Sequence, residues 1–160
     1  MDSVQYLLSI ETRGIKLGLQ RTRELMAACG NPQSGLPSIQ VAGTNGKGSV
    51  CAMLANILKT AGYKTGLFTS PHLVNVNERI RLNGIPIPNN EIDIFLQKYR
   101  EAIEKIEATF FETITAMAFW YFKNENVDIA ILETGLGGRL DSVSVCEPLA
   151  TVMTSISLDH

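Results

Sequence analysis

The stretch VAGTNGKGSV, residues 41–50, has the makings of a loop that cradles phosphate. Such loops read GxxxxGK followed at once by Ser or Thr, whose hydroxyl holds the magnesium of a bound nucleotide. Here Lys47 is followed by Gly48, the serine comes one place late at Ser49, and Val41 stands where the first glycine belongs. The lysine charge and the loop backbone suit phosphate, and the Ser49 N–H, opening a helix, can bind it too. A lysine at a helix N-terminus opposes the helix dipole and needs such a reason. The hydroxyl or carboxylate that holds the metal must come from elsewhere in the chain.

The elements that position this loop are legible. SIQVA (38–42) is a short apolar run that ends in the glycines. Beyond them Val50, Met53, Leu54, Ile57, Leu58 and Ala61 recur at helical spacing up to Gly62, a natural stop. KTGLFTS (64–70) reads as a second strand, ended by Pro71. Residues 73–90 mix alternation with turn residues and read as a long excursion with a short hairpin. Residues 90–108 form an amphipathic helix with Ile92, Phe95, Leu96, Tyr99, Ile103 and Ile106 on one face. Residues 111–125 form a second helix, more apolar and so more deeply buried. VDIAILE (127–133) is nearly all apolar, as strands covered on both faces are, and runs into the glycine turn TGLGGRLD. LATVMTSISLDH (149–160) reads as a further buried strand with a polar end. The first 37 residues are expected to be a helix or two packed at the edge. The expected class is therefore α/β, a phosphate-loop type of mostly parallel sheet with helices on both faces. The chain stops at Leu158-Asp159-His160 with no closing helix after the last strand, which suggests a piece of a longer protein.

In an open parallel sheet, ligands bind beyond the carboxyl ends of the strands. The four expected strands end in the Gly43–Ser49 loop, Ser70, Glu133, and Asp159 with His160. A hydroxyl, a carboxylate and an imidazole would then gather beside the phosphate cradle. Ser70 and Glu133 are expected to replace the missing loop hydroxyl, and His160 to hold a further ion. Hydroxyl and carboxylate suit magnesium, while an imidazole fits manganese or zinc better. Each has a plainer reading: Ser70 as a turn residue before proline, Glu133 as a surface carboxylate, His160 as a chain end. Against the second, Glu133 closes an apolar strand, where burial without a partner is costly.

Composition narrows the classes. The chain has 160 residues, 45% hydrophobic and 19% charged, enough for one globular domain. Net charge is −2 with no run of Lys or Arg, which argues against a protein that binds nucleic acid through its phosphates. Cys29, Cys51 and Cys146 lie far apart and form no CxxC pair, so neither structural zinc nor a disulfide framework is indicated. No signal peptide opens the chain, and no apolar run approaches the roughly 20 residues that span a bilayer. A cytoplasmic protein without a membrane partner is the expectation.

Five segments carry a more specific message. VAGTNGKGS, FTSPHLVNVNERIRLNG, TFFETITAMAF, ILETGLGGRLD and TSISLDH, in this order and at these spacings, closely resemble the folylpolyglutamate synthases and bifunctional dihydrofolate synthases of the wider Mur ligase group. The resemblance runs from about residue 10 to the end. It implies ATP-dependent ligation of L-glutamate to a carboxylate of dihydropteroate or folate, through an acyl phosphate, with ATP and Mg2+ required. It also implies that Thr44, Asn45, Gly46 and Lys47, continued by Gly48 and Ser49, bind ATP. Ser70, Glu133 and His160 would be the magnesium ligands, with Lys47, Glu133 and His160 the catalytic set. The pterin contacts would be Thr109, Phe110, Phe111 and Glu112, then Leu140, Asp141 and Ser142, then Gly14, Ile15 and Lys16. A flat pterin would stack on an aromatic and donate its ring N–H groups to Asp141. One of the two phenylalanines is expected to be ordinary core at the head of a helix. No protein nucleophile is needed, so Cys51 need not be one.

Two departures concern the acid substrate: Lys16 stands where bifunctional relatives can have an acidic residue, and DSVSV replaces the more usual DATNV. The resemblance further implies that residues 1–160 are the N-terminal part of an ATP-binding ligase domain. A carbamylated lysine and a C-terminal glutamate-ligase domain would lie beyond this chain. The chain alone is then expected to bind nucleotide weakly and turn over nothing, and the full-length form to be a monomer. Three other readings stay open. One is a Mur-type ligase acting on a cell-wall precursor, against which the TFFE and SPHLVNVNERI segments speak. Another is a switch GTPase, whose NKxD and DxxG motifs do not occur in the chain. The last is a non-catalytic nucleotide-binding module.

Overall fold

The computed structural model describes residues 2–158. Apolar β1 (Ser38–Ala42) runs through the glycine loop into α3 (Lys47–Thr60), and the chain returns as β2 (Thr65–Phe68). The hairpin of β3 (Ile80–Leu82) and β4 (Ile85–Pro86) follows, then α4 (Asn89–Ile106), α5 (Phe110–Asn124) and β5 (Ile129–Glu133). β6 (Ala150–Met153) comes last. The strand order is β4-β3-β2-β5-β1-β6. β2, β5, β1 and β6 are parallel, and the β3–β4 hairpin joins antiparallel on the free edge of β2. The expected α/β class is therefore the observed one. The hairpin inside the 73–90 excursion is also present, and it extends the main sheet, which periodicity did not indicate.

The two faces of the sheet are unequal. On one, α3 alone closes a small cluster of Val41, Cys51 and Ile131. On the other, α4 and α5 cover a large core that includes Phe68, Phe119 and Phe122. Every residue of α5 from Phe110 to Phe122 is buried except Phe111. The stripe expected on α4 faces inward, with Ile92, Phe95, Leu96, Tyr99 and Ile103 buried. Burial of such side chains contributes about 1.5–3 kcal/mol each, which is the main force holding the helices on the sheet.

Two expectations need correction. The N-terminal helices α1 (Ser3–Ser9) and α2 (Gln20–Ala28) do not flank the sheet edge. They pack on the outside of α4 and α5. Arg13 ties this layer down, donating to Glu104 Oε2 at 2.6 Å and to the Ala108 carbonyl at 2.7 Å. The last strand is also shorter than the expected 149–160, and it is a largely exposed edge strand rather than a buried one. It ends at Met153, after which the backbone turns toward the glycine loop: the Thr154 N–H donates to the Ala42 carbonyl at 2.9 Å and the Thr44 N–H to the Ser155 carbonyl at 2.8 Å. Asp159 and His160 lie outside the described residues.

The contact between β2 and α5 leaves no room for a side chain at Gly66. A Cβ built there would sit 2.8 Å from Cδ1 and Cε1 of Phe122. Gly66→Ala is therefore expected to destabilise the chain by about 1–3 kcal/mol, as overpacked cores do. A urea unfolding midpoint equal to that of the unchanged chain would show that the interface gives way freely.

Candidate functional site

The glycine loop is built by backbone conformations that ordinary residues resist. Gly46, the N-cap of α3, has φ 83°, in the left-handed region that glycine enters without strain. Lys47 folds back over the loop, its Nζ donating to the Gly43 carbonyl at 2.9 Å. Thr44 is held from outside the loop. Its hydroxyl donates to the Ser157 carbonyl at 3.1 Å and accepts from the Ser157 N–H at 3.0 Å. The 154–157 segment thus braces the loop, a role that nothing in its sequence announced. A cleft of about 470 Å³ opens here, lined by Gly43, Thr44 and Lys47 and, across from them, by Gly137, Arg139 and Leu158. Asn45, Gly46 and Ser49 are exposed beside it.

Glu133 ends β5, the strand between β1 and β2. It is only 5% exposed, and its Oε2 accepts the Ser70 N–H at 3.0 Å. Burial raises its pKa above the usual carboxylate value, against the pull of the Ser70 N–H, Lys47 and Arg79. A Cβ on Gly48 would lie 3.8 Å from Glu133 Oε1, so the carboxylate faces the first turn of α3. Gly48, Ser70 and Glu133 line a cleft of about 410 Å³. Among the described residues no three His, Cys, Asp or Glu side chains cluster as a metal site. Ser70 and Glu133 supply two oxygen donors, and the third expected ligand, His160, lies outside the described residues.

A third cavity, of about 400 Å³, gathers residues from three distant segments. Gly14, Ile15 and Lys16 form one wall, Thr109, Phe111 and Glu112 another, and Leu140, Asp141 and Ser142 the third. Phe110 is not on the wall: it is buried in the core beneath the Arg79 guanidinium. Phe111 is the half-exposed ring, and Gly135 lies against its edge, where a Cβ would sit 2.8 Å from Cζ.

The two acidic residues on these walls are busy. The Glu112 Oε2 accepts the Thr109 N–H at 2.8 Å in a capping box that starts α5. Arg21 Nε donates to both Glu112 oxygens at 3.1 Å. Asp141 Oδ2 accepts the N–H groups of Gly135 at 2.7 Å and Leu136 at 2.9 Å, and Oδ1 accepts that of Val143 at 3.1 Å. Those bonds hold the glycine turn closed and use three of about four acceptor sites, leaving room for one ligand N–H. Burial nonetheless raises the Asp141 pKa above its ordinary value. Ser142 Oγ accepts from Thr22. Lys16 stays at the rim, its Nζ 3.9 Å from Glu107 Oε2.

The sequence did not single out Leu17, Pro71, Arg79, Gly135 and Leu136, all of which line this third cavity. Most flank motifs already noted, which was the available signal; Arg79 lay hidden in the 73–90 excursion. These residues also show how the spaces connect. Ser70 and Pro71 border both the third cavity and the Glu133 cleft, and Gly135 and Leu136 border both the third cavity and the phosphate-loop cleft. Among the described residues no helix is long and apolar enough to cross a membrane.

Known proteins share this fold. Residues 41–160 match the Mur ligase middle domain. The dihydrofolate synthase/folylpolyglutamate synthase of Bacillus subtilis is 47% identical over 92% of this chain and 36% of its own length. A probable bifunctional folylpolyglutamate synthase/dihydropteroate synthase of Haloferax volcanii is 39% identical over 99% of this chain and 20% of its own length. The structure of E. coli FolC in complex with DHPP and ADP superposes with a TM-score of 0.92 at 39% identity, covering all of this chain and 39% of that one. This chain thus spans between 20% and 39% of the length of these relatives. The chain belongs to the Mur ligase family, and within it the likeness is to the folylpolyglutamate and dihydrofolate synthases.

Proposed function

We propose that this chain is the nucleotide- and acid-binding part of an ATP-dependent ligase that joins L-glutamate to a carboxylate of folate or dihydropteroate. The observation that carries this reading is the meeting of the three clefts at Ser70–Pro71 and Gly135–Leu136. A carboxylate oxygen attacks the γ-phosphorus of ATP, the bond to the β-phosphate oxygen breaks, and ADP leaves. The glutamate amine then attacks the acyl carbon and expels inorganic phosphate, closing the amide. Such transfers need positioning and charge neutralisation more than a protein nucleophile. Loop N–H groups and Lys47 serve the phosphates, with Thr44 fixed by the 155–157 segment. Phe111 and Leu140 offer apolar surface to a flat heterocycle, and Asp141 its remaining lone pair. The longer protein is read as a cytoplasmic monomer whose partners are these small molecules alone.

Ser70 and Glu133 fit magnesium. They are hard oxygen donors, and a buried carboxylate whose pKa is raised by desolvation gains from a cation beside it. When bound, the ion would neutralise charge on the phosphoryl oxygens. The charge that serves this purpose is destabilising when no cation is bound. Because the folded-state pKa is raised, the penalty is full above it. It shrinks as pH falls through that value and is gone below the unfolded value. Glu133→Gln is thus expected to raise the melting temperature of the chain at neutral pH, a gain that should vanish in acid, and to abolish turnover by the longest native polypeptide that contains it. A variant less stable at pH 7 than at pH 4, relative to the unchanged chain, would contradict this account.

Activity is best tested on the longest native polypeptide that contains these residues. ADP release should depend on glutamate and on either dihydropteroate or tetrahydrofolate, and Lys47→Ala should lower it by about a hundredfold or more. Turnover with dihydropteroate identifies a dihydrofolate synthase, and turnover with tetrahydrofolate alone a polyglutamylating enzyme. Turnover with neither, but with a cell-wall precursor, would replace this reading by the Mur-type alternative.

A further inference from the structure

The acid cavity carries a buried cation that makes no ion pair with a carboxylate among the described residues. Arg79 closes the 3₁₀ turn Val76–Arg79, is only 8% exposed, and lines the cavity. Its Nε donates to His72 Nδ1 at 2.8 Å, and its guanidinium carbon lies 5.0 Å from the centre of the Phe110 ring. These contacts from two sides set the plane of the guanidinium fork. Among the described residues its two Nη groups make no hydrogen bond to protein, and no carboxylate oxygen lies within ion-pairing distance. The neighbouring arginines differ: Arg21 is paired with Glu112 and Arg13 with Glu104. Burial lowers the Arg79 pKa from its ordinary value, and Glu11 and Glu133 oppose that only through space.

A largely buried arginine that lines a cavity and meets no carboxylate among the described residues gains from an anion placed there. Its fork matches a carboxylate in geometry and charge. Its backbone also fixes where that carboxylate would lie. The Arg79 carbonyl accepts the Thr69 N–H at 2.9 Å, and the next residue, Ser70, gives its N–H to Glu133. Arg79 therefore stands at the end of the cavity that borders the phosphate-transfer point. Lys16, the other cation of the cavity, is at the exposed rim beside Glu107.

We propose that Arg79 is the receptor for the reacting carboxylate of the acid substrate, holding it beside Ser70, with His72 as the positioning residue that aims the guanidinium. The proposal deepens the functional reading above and rests on it. It makes a charge-specific claim: the cavity selects an acid over the neutral amide of the same shape.

The test uses pteroate and its primary carboxamide, titrated calorimetrically against the longest native polypeptide that contains these residues. The unchanged protein should bind pteroate about tenfold or more tightly than the amide, and Arg79→Gln should erase that preference while leaving amide affinity within about twofold. Unchanged amide affinity also reports that the cavity of the variant is intact. His72→Ala should lose part of the preference and His72→Asn, which keeps an acceptor for Nε, should recover it. Lys16→Ala should leave it alone. Equal binding of acid and amide by the unchanged protein overturns the proposal even if Arg79→Gln does not fold, and leaves the pteroyl reading standing. A preference lost in Lys16→Ala but kept in Arg79→Gln moves the receptor to the rim and overturns it too. Failure of the unchanged protein to bind either ligand removes the pteroyl reading and the receptor with it.

Discussion

The hydrogen bond from the Ser70 N–H to Glu133 Oε2 is the contact on which the site depends. It joins the end of β2 to the end of β5, and β5 in turn lies against β1, which delivers the phosphate loop. The bond holds a buried carboxylate facing the first turn of α3 and favours its charged form, in opposition to desolvation, which raises its pKa. Three strand ends therefore converge at a group that is unfavourable for the empty fold. The large core on the opposite face, built on α5, supplies the stability that lets such a group persist.

Carboxylates divide their duties here in a way that residue type does not reveal. Among the described residues Glu133 keeps one oxygen free of a hydrogen-bond partner and faces a cleft. Glu112 is consumed by the Thr109 cap and by Arg21, so it shapes the acid cavity without offering charge to a ligand. Asp141 stands between these cases, closing the glycine turn with three backbone N–H groups and keeping limited capacity for one more donor. The positive side is divided likewise. Arg21 is structural, Lys47 arches over its own loop, and Arg79 makes no ion pair among the described residues.

The phosphate loop and the acid cavity are mechanically connected. Asp141 fixes Gly135 and Leu136, which border both spaces, and residues 155–157 hold Thr44 from the far side of the loop. Neither clamp is provided by the loop itself. A glycine loop that departs from the strict GxxxxGKS pattern is thus embedded in contacts from β5, β6 and the turns that follow them.

Local patterns in the sequence were enough to determine the strand, glycine loop and helix, the α4 stripe, the burial of α5 and the parallel character of the sheet. Each is written in spacing over a few residues: period 3.6 for α4, continuous apolar runs for β1 and β5. The rule that ligands gather at strand ends also placed Ser70 and Glu133 correctly on one edge, because strand order hardly alters which ends are carboxyl ends. The short β6, the stacking of α1 and α2 on other helices, and the brace on Thr44 depended on contacts between residues a hundred or more apart in several cases. Those contacts have no local period to read. The same holds for the side chains. That Phe111 faces the cavity while Phe110 is core follows from the rotation of one helix against the sheet. That Glu112 is spent while Arg79 makes no ion pair among the described residues follows from which partners the fold brings near. Residue chemistry was in the sequence; the availability of that chemistry was decided by packing.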